Sequence, residues 1–259
     1  MKQYRIFIGV GHGGIDPGAV KYVRESWANL VMALELRRLL QAAGQIVGMS
    51  RTVEENDDIN EEIREANAFK PDLAVEIHNN AGGGDGWECY VQTNQYATQS
   101  RACAADIEEE VKKLGQQSRG LKTNSFGWTR LVDAPAVLTE GFFVDNLADA
   151  TDFDTEVELK ALAGAYARGI LKYLGVEAAP EQPKTTRDLV RQRYGLAENT
   201  LDHMENYGPS ILRKLSGAAK AMTDREQVQT VFDLSDAEMK HLDTWPWAKE
   251  LYRKILGGI

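Results

Sequence analysis

Residues 6–18, Ile6-Phe7-Ile8-Gly9-Val10-Gly11-His12-Gly13-Gly14-Ile15-Asp16-Pro17-Gly18, set a short apolar run directly against a cluster of glycines. A β-branched and aromatic run bounded by turn formers predicts a buried strand followed by a tight loop. A glycine-rich loop after a strand either cradles a phosphate or lets the backbone approach a ligand closely. The phosphate reading is weak, because there is no Gly-x-x-x-x-Gly-Lys-Ser/Thr and Gly9-x-Gly11-x-Gly13-Gly14 lacks the dinucleotide spacing. His12 stands at the C-terminal mouth of the strand, where an open α/β sheet places its ligands. A lone histidine there more often just hydrogen-bonds a loop carbonyl, so other residues must decide.

The chain continues in alternation. Ser26 to Ala43 carries apolar residues at helical spacing, and Gly44 is a suitable stop. Ile46–Met49 reads as a second strand, and Asp57-Asp58 opens a helix that runs through Phe69 to Pro71. Leu73–His78 is a third strand, followed by the loop Gly82-Gly83-Gly84-Asp85-Gly86 and an alternating strand over Trp87–Val91. Gln99–Leu114 is an amphipathic helix, and Gly115–Trp128 is a glycine- and polar-rich segment. Ala136–Glu140 is a further strand, and Glu156–Leu174 a last long helix. Strands alternating with helices of this length predict an α/β fold, a mostly parallel twisted sheet with helices on both faces.

A second unit follows. Residues 176–184, with Ala178-Ala179-Pro180-Glu181-Gln182-Pro183, read as a linker after a first domain over 1–175. Residues 185–259 carry only helical patterns, near Thr186–Tyr194, Ser210–Met222, Asp224–Phe232 and Ser235–Ile255, so a small all-α C-terminal domain is expected. Ser235-x-x-Glu238 has the spacing of a capping box. The formal net charge of −9 falls almost wholly in the first domain, since basic and acidic residues balance after Pro180. That acidity disfavours nonspecific nucleic-acid binding. The two cysteines, Cys89 and Cys103, form neither a disulfide framework nor a C-x-x-C pair. The amino-terminal apolar run is too short for a signal peptide, and no run reaches the length of a membrane span. The protein as made is therefore expected to be cytoplasmic and not membrane-embedded.

Two histidines occupy corresponding places. His12 follows the first strand and His78 closes the third, so in a parallel sheet both open on the same edge. Glu140 ends another strand of the same polarity, and Glu25 stands at the entrance of the first long helix, within reach of the His12 loop. Two histidines and a glutamate form the ligand set of many catalytic zinc sites, with water in the fourth position. A further glutamate beside that water can serve as general base. Spacing alone leaves the metal site and ordinary hydrogen-bonded histidines as equal readings, because there is no compact His-Glu-x-x-His signature.

Taken in order, the blocks Gly11-His12-Gly13-Gly14-x-Asp16-Pro17-Gly18-Ala19, Glu25 with Asn29-Leu30, Ser50-Arg51, and Arg64-x-x-Ala66-Asn67 form a longer pattern. It continues through Asp72-Leu73-x-x-x-Ile77-His78-x-Asn80-Ala81, Gly86-x-Glu88-x-Tyr90, Arg119-Gly120-x-Lys122 and Pro135-Ala136-Val137-Leu138-x-Glu140. This pattern resembles the zinc-dependent N-acetylmuramoyl-L-alanine amidases of the type-3 class, which cleave the bond between muramic acid and the stem peptide of peptidoglycan. The resemblance implies a Zn2+ cofactor held by His12, Glu25 and His78, with Glu140 as the catalytic glutamate. It implies bacterial peptidoglycan as the partner. The chain departs from the pattern at Glu76, where a small residue, often serine, is usual, and at Phe142-Phe143, where a Gly-Phe pair is usual.

Asn80, Arg119 and Lys122 are expected either to border a substrate groove or to be solvated surface. Trp87 and Trp128 are expected in packing roles, Cys89 as an inert buried thiol, and His203 and His241 in surface or capping roles. The helical tail is expected to bind cell wall or to mediate self-association as a homo-oligomer, with Tyr194, Tyr207, Trp245, Trp247 and Tyr252 either stacking on sugars or filling a core. A phage or prophage endolysin is the expected role, with a mother-cell autolysin of the same chemistry as the near alternative. A small-amide hydrolase and a wall-binding protein with a dead catalytic domain are the rivals.

Overall fold

The computed structural model describes residues 2–56, 58–177 and 236–244. The chain divides into two compact units, Met1–Pro180 and Glu181–Ile259. In chain order the first contains β1 (Arg5–Val10), α1 (Glu25–Ala42), β2 (Ile46–Met49), α2 (Ile59–Phe69), β3 (Leu73–Asn80) and β4 (Trp87–Val91). It continues with α3 (Ala97–Lys112), β5 (Ser118–Thr123), α4 (Gly127–Leu131), β6 (Ala136–Phe143), α5 (Leu147–Thr151) and α6 (Glu156–Leu174). In the second unit the described residues hold one helix, α7 (Asp236–Asp243), inside the segment expected to be helical from Ser235. The other expected tail helices, the cap at Ser235, the linker beyond residue 177, His203 and the five tail aromatics lie outside the described residues. His241 is half-buried in α7.

The six strands form one sheet in the order β2-β1-β3-β6-β4-β5. β2, β1, β3 and β6 are mutually parallel, whereas β4 runs antiparallel to β6 and parallel to β5. The reversal follows from connection length. Only residues 81–86 join β3 to β4, and a parallel return needs a crossover of about a dozen residues or more. β5 was not apparent in the glycine- and polar-rich segment. Its residues Ser118-Arg119-Gly120-Leu121-Lys122-Thr123 offer one apolar side chain, and their strand state comes from pairing with β4.

Alternation along the strands sorts the two faces. Ile6, Ile8 and Val10 of β1, Leu73, Val75 and Ile77 of β3, and Val137 of β6 pack under α1, α3 and α6 in the main core. The opposite face presents Phe7, Ala74, Ala136 and Leu138, covered by Ile63 and Ala66 of α2, Trp128 of α4 and Val132 just past it. That second face also carries Gly9, Glu76, His78 and Glu140, in phase with those residues. It is covered by shorter helices than the other face, and a cleft opens at its C-terminal strand ends.

The helix ends agree with the local chemistry. Asp58 caps α2 by accepting from the amides of Asn60 and Glu61, and Gly44 takes the left-handed conformation (φ 79°) just past α1. Thr155 and Glu158 form a reciprocal capping box on α6, which ends at Gly175 in the left-handed conformation. Both departures from the family pattern at Phe142 and Phe143 are packing residues. Phe142 stacks on Phe153 at 5.1 Å, and Phe143 is buried with the Arg119 guanidinium 5.0 Å over its ring.

Candidate metal centre

The loop after β1 is held open for His12 by backbone conformations that side chains rarely adopt. His12 itself has φ 62°, and Gly13 and Gly14 follow with φ 146° and 59°. Gly13 and Asp16 exchange two backbone hydrogen bonds of 2.8 and 3.0 Å, which closes the loop. Asp16 then places Oδ2 2.9 Å from His12 Nδ1. From beneath, the buried Arg51 donates to the carbonyls of Val10 (3.1 Å), Ser26 (3.0 Å) and Gly11 (3.4 Å). Asn29 adds a 2.9 Å bond to the Gly11 carbonyl. Gly11 can carry no side chain, since a Cβ there would lie 2.2 Å from the His78 ring.

Glu25 begins α1, where the helix N-terminus favours a carboxylate. It is buried, and every contact is to the site. Oε2 accepts from the Ala19 amide at 2.9 Å. Oε1 lies 3.0 Å from His78 Nδ1, 3.2 Å from the Asn79 amide and 3.3 Å from His12 Nε2. Burial opposes its charge, but the bonds from His12 and His78 outweigh burial and hold its pKa well below the carboxylate range. The same Glu25 raises the pKa of His12 above the usual imidazole value. His78 is raised too, with burial working against the pull of Glu25 and Glu76.

His12, Glu25 and His78, which are 66 residues apart from first to last, therefore each bring one ligand atom to within 4.8 Å of the others. Two imidazoles and one carboxylate are a donor set suited to zinc, and tetrahedral bonds of about 2.0–2.1 Å set ligand atoms roughly 3.3 Å apart. The 3.0 and 3.3 Å separations around Glu25 Oε1 match that edge. The residues present fit a divalent ion of this kind.

Glu140 sits opposite His78 in the β3–β6 register and opposite Glu88 in the β4–β6 register. Its Oε2 is buried without a hydrogen-bond partner among the described residues. Burial, with Glu25, Glu88 and Glu76 nearby, pushes its pKa up to about 7 against the opposing pull of His78. A cleft of about 400 Å³ is lined by His12, Glu76, His78, Glu140, Phe126 and Trp128 among others. All four residues singled out from the sequence are thus brought together at one place.

Other expectations resolve differently. Asn80, Arg119 and Lys122 converge on Glu88, which accepts from Asn80 Nδ2 at 2.9 Å, from Arg119 Nε at 2.7 Å and from Lys122 Nζ. Tyr90 OH adds a fourth bond of 2.6 Å. Lys122, Tyr90 and Arg119 lower the Glu88 pKa to about 2 despite its burial. The two tryptophans are buried as expected, with Trp87 Nε1 donating to Tyr166 OH at 3.0 Å. Cys89 and Cys103 are free and buried, and burial raises both thiol pKa values. Sequence reasoning missed the roles of Arg51 and Asp16, which it held only as motif letters, and left Glu76 outside the site. The shared face of Glu76 and His78 was the available signal.

The family described as N-acetylmuramoyl-L-alanine amidase matches residues 6–172. The chain is 34% identical over 169 residues to the sporulation-specific N-acetylmuramoyl-L-alanine amidase of Bacillus subtilis (strain 168), covering 64% of this chain and 66% of that protein. It is 31% identical over 180 residues to the endolysin of Bacillus phage SPP1, covering 65% and 66%. The match therefore spans about two thirds of the length of these relatives. The structure of the catalytic domain of CwlV, an N-acetylmuramoyl-L-alanine amidase from Bacillus (Paenibacillus) polymyxa var. colistinus, superposes with a TM-score of 0.63 at 28% identity, covering 68% of this chain and all of that one.

Proposed function

The chain belongs to the N-acetylmuramoyl-L-alanine amidase family, and we propose that it hydrolyses the amide between N-acetylmuramic acid and L-alanine in bacterial peptidoglycan with one zinc ion held by His12, Glu25 and His78. The observation that carries this reading is the meeting of three ligand atoms from β3, α1 and the β1 loop beside a buried, unpartnered glutamate oxygen. When bound, zinc supplies a Lewis acid that acidifies water and polarises a carbonyl. The chain supplies the rest. Glu140 accepts the proton of the attacking water and passes it to the departing amine of alanine. The Glu88 network holds the strand opposite Glu140, and Phe126 and Trp128 form the wall against which a substrate is oriented.

Digestion of purified cell walls tests this reading. The expected products are free lactyl groups on muramic acid and peptides with a new N-terminal alanine. Chelation removes the activity and added zinc restores it. New reducing sugar ends would overturn the assignment.

The role we propose is that of a phage or prophage endolysin, made in the cytoplasm and released to the wall, and similarity to a protein named endolysin supports it. The similarity to a sporulation-specific amidase supports a second reading, a mother-cell autolysin of the same chemistry. Among the described residues no helix is long and apolar enough to cross a membrane. We assign residues 185–259 to wall binding or self-association after a linker at 176–184. Transcription that rises on prophage induction supports the first role, and transcription confined to sporulation supports the second.

A further inference from the structure

Glu76 is the buried carboxylate that the reaction leaves without a task. It is 2% exposed. Its Oε1 lies 3.1 Å from His78 Nε2, and its Oε2 is buried with no hydrogen-bond partner among the described residues. The position is rigid. Glu76 pairs with Gly9 on β1 and with Leu138 on β6, and its own carbonyl accepts from Thr139 Oγ1 at 3.0 Å. A carboxylate taken out of water carries a desolvation penalty that a partner must offset, and among the described residues the one partner that it finds is the imidazole two residues along the same face.

The geometry points to Glu76 as a positioning residue for His78: its carboxylate accepts a hydrogen bond from Nε2–H and so presents Nδ1 to the cation held with His12 and Glu25. This rests on the metal reading above. An imidazole that gives one nitrogen to a cation keeps its proton on the other, and a fixed acceptor there sets both the tautomer and the ring orientation. His78 Nδ1 faces Glu25 Oε1 at 3.0 Å, on the ligand side, while Nε2 faces Glu76. Asp16 holds Nδ1 of His12 in the same way at 2.9 Å, from a 63% exposed side chain. The two imidazoles are thus oriented through opposite ring nitrogens, which suits rings that meet edge to face with centroids 4.9 Å apart. Glu76 itself stays outside the cluster that can hold an ion among the described residues. The family pattern usually has a small residue here, so this support for His78 is a feature of this chain.

The test is zinc affinity of the full chain, measured by competition with a chromogenic chelator, in wild type, E76A, E76S and E76Q. Imidazole 15N spectra of the zinc-loaded proteins report which nitrogen of His78 carries the proton. Loss of an orienting partner weakens binding by about 10- to 100-fold, so E76A and E76S should fall in that range. E76Q retains an acceptor oxygen at the same reach and should recover most of the affinity, with the Nε2–H signal preserved. Affinity in E76A equal to wild type would overturn the inference while leaving the metal reading intact. An E76Q that loses as much as E76A would also overturn it, by making Glu76 a direct ligand. Failure of the wild type to bind zinc would reject the metal reading and the inference with it. Should E76A not fold, E76S and E76Q carry the same comparison.

Discussion

Arg51 donates to the carbonyl of Val10 at 3.1 Å, and through that bond a side chain just past β2 grips the strand end from which His12 hangs. The guanidinium also reaches Ser26, beside Glu25, at 3.0 Å. One buried cation therefore ties together the two segments that carry two of the three proposed ligands.

Substituting Arg51 should therefore be costly. R51A strands buried carbonyls without donors, and unsatisfied buried groups of this kind cost about 1–3 kcal/mol each. A loss on the order of 3 kcal/mol is expected, read as the shift of the urea midpoint at constant slope. R51K should recover less than half, because one ammonium cannot reproduce the fork. A loss below about 0.5 kcal/mol, the range of ordinary surface substitutions, would contradict this account.

Gly11 tests the packing of the site more sharply. A methyl group there would sit 2.2 Å from Cε1 and Nε2 of His78, so G11A must push the ring aside. Overpacking of this kind costs about 1–3 kcal/mol. Zinc affinity should fall by at least about 10-fold, as expected for a misdirected ligand, while circular dichroism keeps the native α/β signature. Unchanged zinc affinity would show that His78 does not bind the ion from this position.

Glu140 should trade stability for activity. Its pKa is raised to about 7, against about 4.3 for an unperturbed glutamate. A raised carboxyl pKa means that the metal-free fold is least burdened below about pH 4, where the group is protonated in both states. The burden then grows as pH rises to 7 and stays constant above. E140Q should remove it, stabilising the metal-free protein by an amount on the order of 3 kcal/mol above pH 7 and by little near pH 4. The same substitution should lower hydrolysis by about 10²- to 10⁴-fold, the worth of general acid–base catalysis. Calorimetry at several pH values and release of new N-terminal alanine check the two halves.

Glu88 should contribute to the acid limb. Its pKa is lowered to about 2 by Lys122, Tyr90 and Arg119 in spite of burial. A lowered carboxyl pKa gives stability that is complete above about pH 4.3, the unfolded value, and is lost as pH falls toward 2. E88Q should flatten the dependence of the melting temperature on pH across that window and lower the melting temperature at neutral pH. A slope in E88Q no shallower than that of the wild type would show that Glu88 adds nothing to the acid sensitivity.

Much of the first unit was legible because its determinants are local. Hydrophobic periodicity and flanking turn formers placed β2 at Ile46–Met49, β4 at Trp87–Val91 and α6 at Glu156–Leu174, where the structure has them. β5 escaped because its pattern holds a single apolar residue and its pairing partner lies on β4. Trp87–Val91 alternates in direction but not in exposure, since both faces of β4 are covered there.

The placement of the strands other than β5, of the long helices and of the glycines, and the residue types able to hold a cation, were decided by the sequence alone, because periodicity, capping and donor chemistry act within a few residues. Tertiary structure decided that β4 turns back and borders β6, that Arg119 and Lys122 serve Glu88, and that Glu76 meets the far nitrogen of His78. Those outcomes depend on which strand lies beside which and in what register. A shift of one residue in that register would turn Glu76, His78 and Glu140 away from the cleft.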